Sequence, residues 1–203
     1  MRTVHIAEPA DADRADAEAF IQDIYGREYG ARIAQFAPRI LCRTGPEGDL
    51  RCVAGLRLPD DGFFSEGYLD EPVEAALTRA AGRRVRRDDV FEVTTLASRS
   101  PREIAAFVDD IIAFGADHGL SWCFFTLTRR LSLLIQRLHL APIPLADADP
   151  ARIADAAAWG RYYATEPKVF GVCGVTMRHP LAPVRTVSHA AVSQAVVSHA
   201  VVP

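Results

Sequence analysis

The sequence predicts an α/β fold, a mixed β-sheet with flanking helices. Two observations carry the prediction. Residues 39 to 58 hold two strand-like runs, RILCRT and LRCVAGLRL, and the intervening GPEGD has the glycines and proline that turn a chain back on itself into an antiparallel hairpin. From residue 90 to residue 145, β-rich runs alternate with helical stripes, and a strand reached through a helix lies parallel to its predecessor. A chain of 203 residues, 49% of them hydrophobic, is long enough to bury one such sheet.

Each element has a local cause. In residues 11 to 36, Phe20, Ile21, Ile24, Tyr25, Tyr29, Ile33 and Phe36 recur near helical spacing behind aspartates that favour a helix start, so one long helix or a pair of helices is expected. After the hairpin, EPVEAALTRAAG reads as a short helix, with Pro72 in its first turn and Gly82 just past its end. VFEVTTLAS, residues 90 to 98, reads as a strand. SPRE then predicts a capping box in which Ser100 accepts from the Glu103 amide and Glu103 reaches back. Ile104, Phe107, Val108, Ile111 and Gly115 mark one face of the helix that follows, to about His118. SWCFFTLT is almost wholly apolar, as a strand covered on both faces must be. Leu131, Leu134, Ile135 and Leu138 stripe a further helix, APIPL is a short extended segment, and KVFGVCGVTM is a last strand. Core periodicity fails from residue 182, and VSHA recurs at 187 and 197. The chain therefore divides into a domain over residues 1–181 and a low-complexity, disordered tail over residues 182–203.

Composition narrows the function classes. The net charge of −3 gives no bulk attraction to nucleic acid or anionic lipid, and RRVRR at 83 to 87 reads as a solvated turn. The N-terminal stretch lacks the apolar core of a signal peptide and no apolar run spans a bilayer, so a cytoplasmic protein without integral membrane association is expected. Cys42, Cys52, Cys123 and Cys173 are dispersed in strand-like contexts and are expected to stay reduced in the core. His5, His118 and His139 stand alone, so neither a catalytic triad nor a metal set is indicated, and no phosphate-loop, dinucleotide or nucleophile-elbow motif occurs.

Two carboxylates in apolar settings point to a site. DGFFSEGYLDEP sets Phe63, Phe64 and Tyr68 around Glu66, and Glu92 lies inside the strand VFEVTTLAS. Burial raises a carboxylate's pKa, which makes it a better general base near neutral pH. Glu92 is the first candidate base; the alternative is that it pairs with Arg57 and ties strands together. Glu66 is the second candidate, with the rings shielding a substrate; the alternative is an aromatic core plug beneath a solvent-facing glutamate. WGRYYATEP adds Trp159, Tyr162 and Tyr163, either core or the lining of an acyl pocket.

Helix, hairpin, helix, strand, helix, strand, helix, strand is the order of a GNAT-type acyltransferase fold, whose central parallel strands split to admit an acyl thioester. The stretches AGLRL, FFSEGYLDEPVE, VFEVTTLAS, WCFFTLTRRLSLLIQRL and WGRYYATEPKVFGV together resemble the thermostable hemolysin family, itself similar to acyl-homoserine-lactone synthases. The resemblance covers about residues 15 to 176. Within it, Glu92 matches the synthases' strand glutamate, Arg57 and Leu58 their Arg-Leu pair, and Arg32 and Phe36 their Arg and Phe four apart. Thr95 replaces a synthase arginine, Cys42 stands where a tryptophan is expected, and the synthases' paired aspartates have no counterpart.

The resemblance implies an acyltransferase that moves a fatty acyl group to a small amine or amino-acid-like acceptor. The donor is a coenzyme A thioester or the phosphopantetheine of acyl carrier protein, the latter being a protein partner. Glu92 and Glu66 are then catalytic. Arg32, Phe36, Arg57, Phe64, Tyr68, Thr95, Trp159 and Tyr163 bind substrate. LASRSPRE lacks the glycines that usually present amides to a donor's pyrophosphate, and offers Ser98, Arg99 and Arg102 in their place. A membrane-active lysin and a catalytically inactive GNAT-like binding module are the alternatives.

Overall fold

A computed structural model describes residues 3–138 and 140–174. The expected tail, the last part of the expected domain and His139 lie outside the described residues. Among these, the strands are β1 (Thr3–Ala7), β2 (Arg39–Thr44), β3 (Leu50–Arg57), β4 (Val90–Ser98), β5 (Trp122–Leu127), β6 (Ile143–Asp147) and β7 (Lys168–Cys173). The helices are α1 (Arg14–Tyr29), α2 (Val73–Ala81), α3 (Pro101–Asp117) and α4 (Arg129–Arg137). The strands form one seven-stranded sheet in the order β1-β2-β3-β4-β5-β7-β6. Only β4 and β5 pair in parallel, through the α3 crossover; every other ladder is antiparallel. The mixed sheet predicted from the hairpin and the strand-helix alternation is thus present.

Side-chain alternation assigns the two faces. On one, α1 packs Ala17, Phe20, Ile21 and Tyr25 against Ile40, Cys42, Val53 and Ala97. Farther along the same face, Leu77 of α2 joins Val90, Phe124 and Val169. On the other, Phe107, Ile111 and Phe114 of α3 cover Leu41, Ala54, Leu56 and Phe91. β5 is therefore packed on both sides, with Trp122, Phe124 and Leu127 buried and Cys123 and Phe125 partly so. Cys42, Cys52 and Cys123 are free thiols.

Three local expectations are corrected. The helical spacing to Phe36 stops short: α1 ends at Gly30, which takes the left-handed conformation at φ 69°, and Ile33 and Phe36 reach the same core from extended chain. Ser100 caps α3 without a side-chain bond, because the Glu103 amide donates to its backbone carbonyl at 3.0 Å. The turn is made instead by Ser98, whose Oγ donates to the Ser100 carbonyl at 2.8 Å. The basic run at 83 to 87 is only partly solvated: the Arg83 guanidinium lies 5.1 Å from the centre of Trp122, and Arg87 lies 4.6 Å from that of Phe63. β1, which sequence patterning did not disclose, is an edge strand buried fully only at Ala7.

Candidate active site

The parallel ladder between β4 and β5 runs from Val90 opposite Trp122 to Val93 opposite Phe125 and stops there, although both strands continue. The cause is a bulge in β4. Val53 of β3 faces Ala97 and Gly55 faces Thr94, so two residues of β4 are spanned by one of β3. Thr95, at the bulge, has φ 45°, costly for a β-branched residue. Gly55 is required opposite the preceding Thr94, because an added Cβ would run into the Thr94 hydroxyl.

A cavity of about 950 Å³ opens at the split. Its walls are apolar: Ile104, Val108 and Ile111 from α3, Leu131 and Leu134 from α4, and Val93 and Phe125 from the sheet. Arg99, Arg129, Arg130 and Arg137 also line it. A cavity of about 30 Å³ adjoins it and shares Tyr25, Val93, Thr94, Thr95, Thr126 and Tyr162 with it. Ser65, Tyr68, Phe64 and Trp159 complete the smaller space. Its aromatic side is built by contact, with Phe64 5.6 Å from Trp159 and Trp159 5.3 Å from Tyr162, centre to centre. The Thr95 hydroxyl at the junction is buried without a hydrogen-bond partner.

Glu92 sits behind this small cavity, fully buried at 0% exposure. Its carboxylate accepts the Phe64 amide at 2.6 Å and the Ser65 amide at 2.7 Å, so it clamps the aromatic loop to β4. Burial outweighs these bonds and pushes its pKa up from 4.5 to about 6. Arg57 lies opposite in register but directs its guanidinium to the Asp61 and Gly62 carbonyls at 3.4 Å. The strand-tying salt bridge weighed from the sequence is therefore replaced by a backbone clamp.

Glu66 is engaged elsewhere. It accepts from Arg87 at 2.7 and 3.0 Å and from the Val73 amide at 2.9 Å, capping α2. Arg87 holds its carboxyl below the ordinary range. Glu66 lines neither cavity, and its setting is that of a structural brace rather than a base. Of the other expected residues, Phe64, Tyr68, Thr95 and Trp159 come together at the small cavity, and Tyr163 supports them through a 2.6 Å bond between its hydroxyl and that of Tyr68. Ser98 and Arg99 line the large cavity, whereas Arg102 does not. Arg32, Phe36 and Arg57 line neither. Sequence reasoning missed Ser65, Thr94 and Thr126 as site residues, since an isolated hydroxyl residue carries no pattern.

Comparison with known proteins bears on this geometry. A family model described as thermostable hemolysin matches residues 7–176. The chain belongs to that family. Among solved structures, the AHL synthase LasI superposes with a TM-score of 0.57 at 7% identity, over 86% of this chain and 89% of that one. FeeM, an N-acyl amino acid synthase from uncultured soil microbes, gives 0.55 at 14% identity, over 85% and 91%. BjaI, a CoA-dependent acyl-homoserine lactone synthase described with SAM and isopentyl-CoA, gives 0.56 at 11% identity, over 85% and 83%. At such identities the likeness establishes the fold, which is the GNAT-like, autoinducer-synthase-like one that the resemblance implied. A sequence search among curated proteins finds no match.

Proposed function

We propose that this thermostable hemolysin family member is an N-acyltransferase that moves a fatty acyl group from a thioester to a small amine or amino-acid-like acceptor. The observation that carries this reading is the meeting of two unlike cavities at the parting of β4 and β5. The larger has apolar walls suited to an acyl chain and arginines suited to a donor's phosphate, whether on coenzyme A or on the phosphopantetheine of acyl carrier protein. The smaller, lined by rings and hydroxyls and at about 30 Å³ only the size of one amino group, receives the acceptor's nitrogen while the rest of the acceptor lies in the larger. The acyl carbonyl then lies at their junction, where the unpartnered Thr95 hydroxyl gains a hydrogen-bond acceptor.

Chemistry at the junction needs a base. As the amine nitrogen attacks the thioester carbon it must lose a proton, the carbon–sulfur bond breaks, and the thiolate is protonated by solvent. Glu92, with its pKa near 6, is ionised and still basic at neutral pH. Folds shared with an N-acyl amino acid synthase and a CoA-dependent synthase support the acceptor and donor classes. Both donors are found in the cytoplasm, and the reading assigns the chain to that compartment. Among the described residues no helix is long and apolar enough to cross a membrane.

The test is to incubate the purified chain with long-chain acyl-coenzyme A, acyl carrier protein thioesters and a panel of amines and amino acids, following thiol release and product mass. Release of thiol with a new amide is expected, and Glu92→Gln should abolish it while the fold survives. A folded wild type silent with both donors would overturn the reading. Leakage of liposomes by the substrate-free protein would then favour a lysin, and its absence the inactive binding module.

A further inference from the structure

Glu92 has no direct access to either cavity. It is wholly buried and lines neither space, so a proton released in the small cavity must cross an intervening group to reach it. Ser65 is the residue in between. It lines the small cavity, is itself only 2% exposed, and gives its amide to Glu92 at 2.7 Å. Its hydroxyl accepts a hydrogen bond from the Thr126 hydroxyl at 2.8 Å. With that lone pair taken, the Ser65 proton is oriented away from Thr126, on a residue whose own amide already bonds the Glu92 carboxylate and whose side chain helps hold down that carboxyl's pKa.

Other acceptors fail by their chemistry. The titratable groups lining the small cavity are the phenols of Tyr25, Tyr68 and Tyr162, all raised by burial and therefore kept protonated at neutral pH. Around Glu92 itself, Arg57 on β3 is a cation, Tyr68 on the loop keeps its phenolic proton, and Cys123 on β5 keeps its thiol proton because burial raises it too.

We infer that Ser65 is a catalytic proton relay, which takes the proton of the attacking amine on Oγ while passing its own to Glu92. The inference rests on the acyl-transfer reading above. The step balances: the nitrogen–carbonyl bond forms, the amine proton moves to Ser65 Oγ, the Ser65 proton moves to Glu92, and the carbon–sulfur bond breaks to give a thiolate that solvent protonates. Glu92 returns its proton by the same path. Thr126 is a positioning residue, since it acts by holding Ser65.

Ser65→Ala is a clean perturbation because the clamp on Glu92 uses the backbone amides of residues 64 and 65, which alanine retains. The experiment measures thiol release from pH 5 to 9 for the wild type, Ser65→Ala and Thr126→Val, with long-chain acyl-coenzyme A and acyl carrier protein thioesters and the amine panel. In the wild type the rate should rise through an acidic limb set by Glu92. Ser65→Ala should lower kcat by about 100-fold or more, leave KM within about threefold, and erase that limb. Thr126→Val should cost about tenfold and keep the limb. In parallel, the Glu92 carboxyl should titrate higher by carbon-13 NMR in Ser65→Ala, which lacks the hydroxyl that would donate to it. An active wild type with Ser65→Ala within threefold, or with its acidic limb intact, overturns the relay and leaves acyl transfer standing. A wild type inactive with every donor overturns both.

Discussion

Replacing Glu92 by glutamine separates two opposing effects that the structure allows to be sized. The wild-type carboxylate has both oxygens bonded to amides, whereas glutamine has one oxygen and must turn its NH2 toward either Phe64 or Ser65. Leaving one buried amide unpaired costs about 1–3 kcal/mol at every pH. Against this stands burial of the charge. A pKa raised from 4.5 to about 6 means that the folded state binds the proton more tightly than the unfolded one, a difference of about 2 kcal/mol. The wild type therefore has its full stability below pH 4.5 and loses this contribution as pH rises to about 6, whereas the variant does not titrate. Tyr68 and Cys123, which face Glu92, keep their protons through this window because burial raises both, and the third group facing it is an arginine, a permanent cation, so the difference belongs to Glu92 alone. Urea unfolding of both proteins in steps from pH 4 to pH 7 should show the variant less stable at pH 4 and gaining about 2 kcal/mol relative to wild type by pH 7. A gap that stays constant across that range would refute the claim that the buried carboxylate is charged at neutral pH at the expense of stability.

Three further outcomes are expected. Thr95→Gly should raise stability by about 0.5–1 kcal/mol in thermal unfolding, since relief of the positive φ exceeds glycine's entropic cost, while thiol release falls with the lost hydroxyl. Glu66→Gln, which breaks the pair with Arg87, should lower stability by about 1 kcal/mol, or roughly 2–4 °C in Tm, with turnover within twofold of wild type. Because Glu66 titrates below the ordinary range, that loss should be present above pH 4.5 and fade as pH falls below it. Ile104→Trp, which fills the large cavity from α3, should raise KM by about tenfold for long-chain donors and leave short-chain donors unaffected.

How much of this could be read from the sequence depended on whether a residue's role was announced by its neighbours. The hairpin, β4, α3 and β5 were legible because a turn, an apolar run or a helical stripe is a local signal. β1 was not, since an edge strand with only Ala7 fully buried shows little alternation. The helical spacing past Tyr29 misled because Gly30 ends α1 while the next apolar residues reach the same core in extended form. Glu92 was legible as a charge inside an apolar strand. Glu66 looked equivalent, and only the return of Arg87 to the loop distinguished the two. Ser65 and Thr126, 61 positions apart, meet through the pairing of distant strands and the clamp of Glu92, which leaves no trace in local composition.

The chain's two tryptophans occupy contrasting places, and this gives the molecule an intrinsic optical reporter. Trp122, at the start of β5, is 3% exposed beneath Arg83 and borders the large cavity, whereas the Trp159 ring forms part of the wall of the small cavity and touches Phe64 and Tyr162. Emission from Trp159 responds to whatever displaces water from that wall. In a Trp122→Phe background it becomes a single-source signal, so acceptors can be ranked by titration before any of them is known to be turned over.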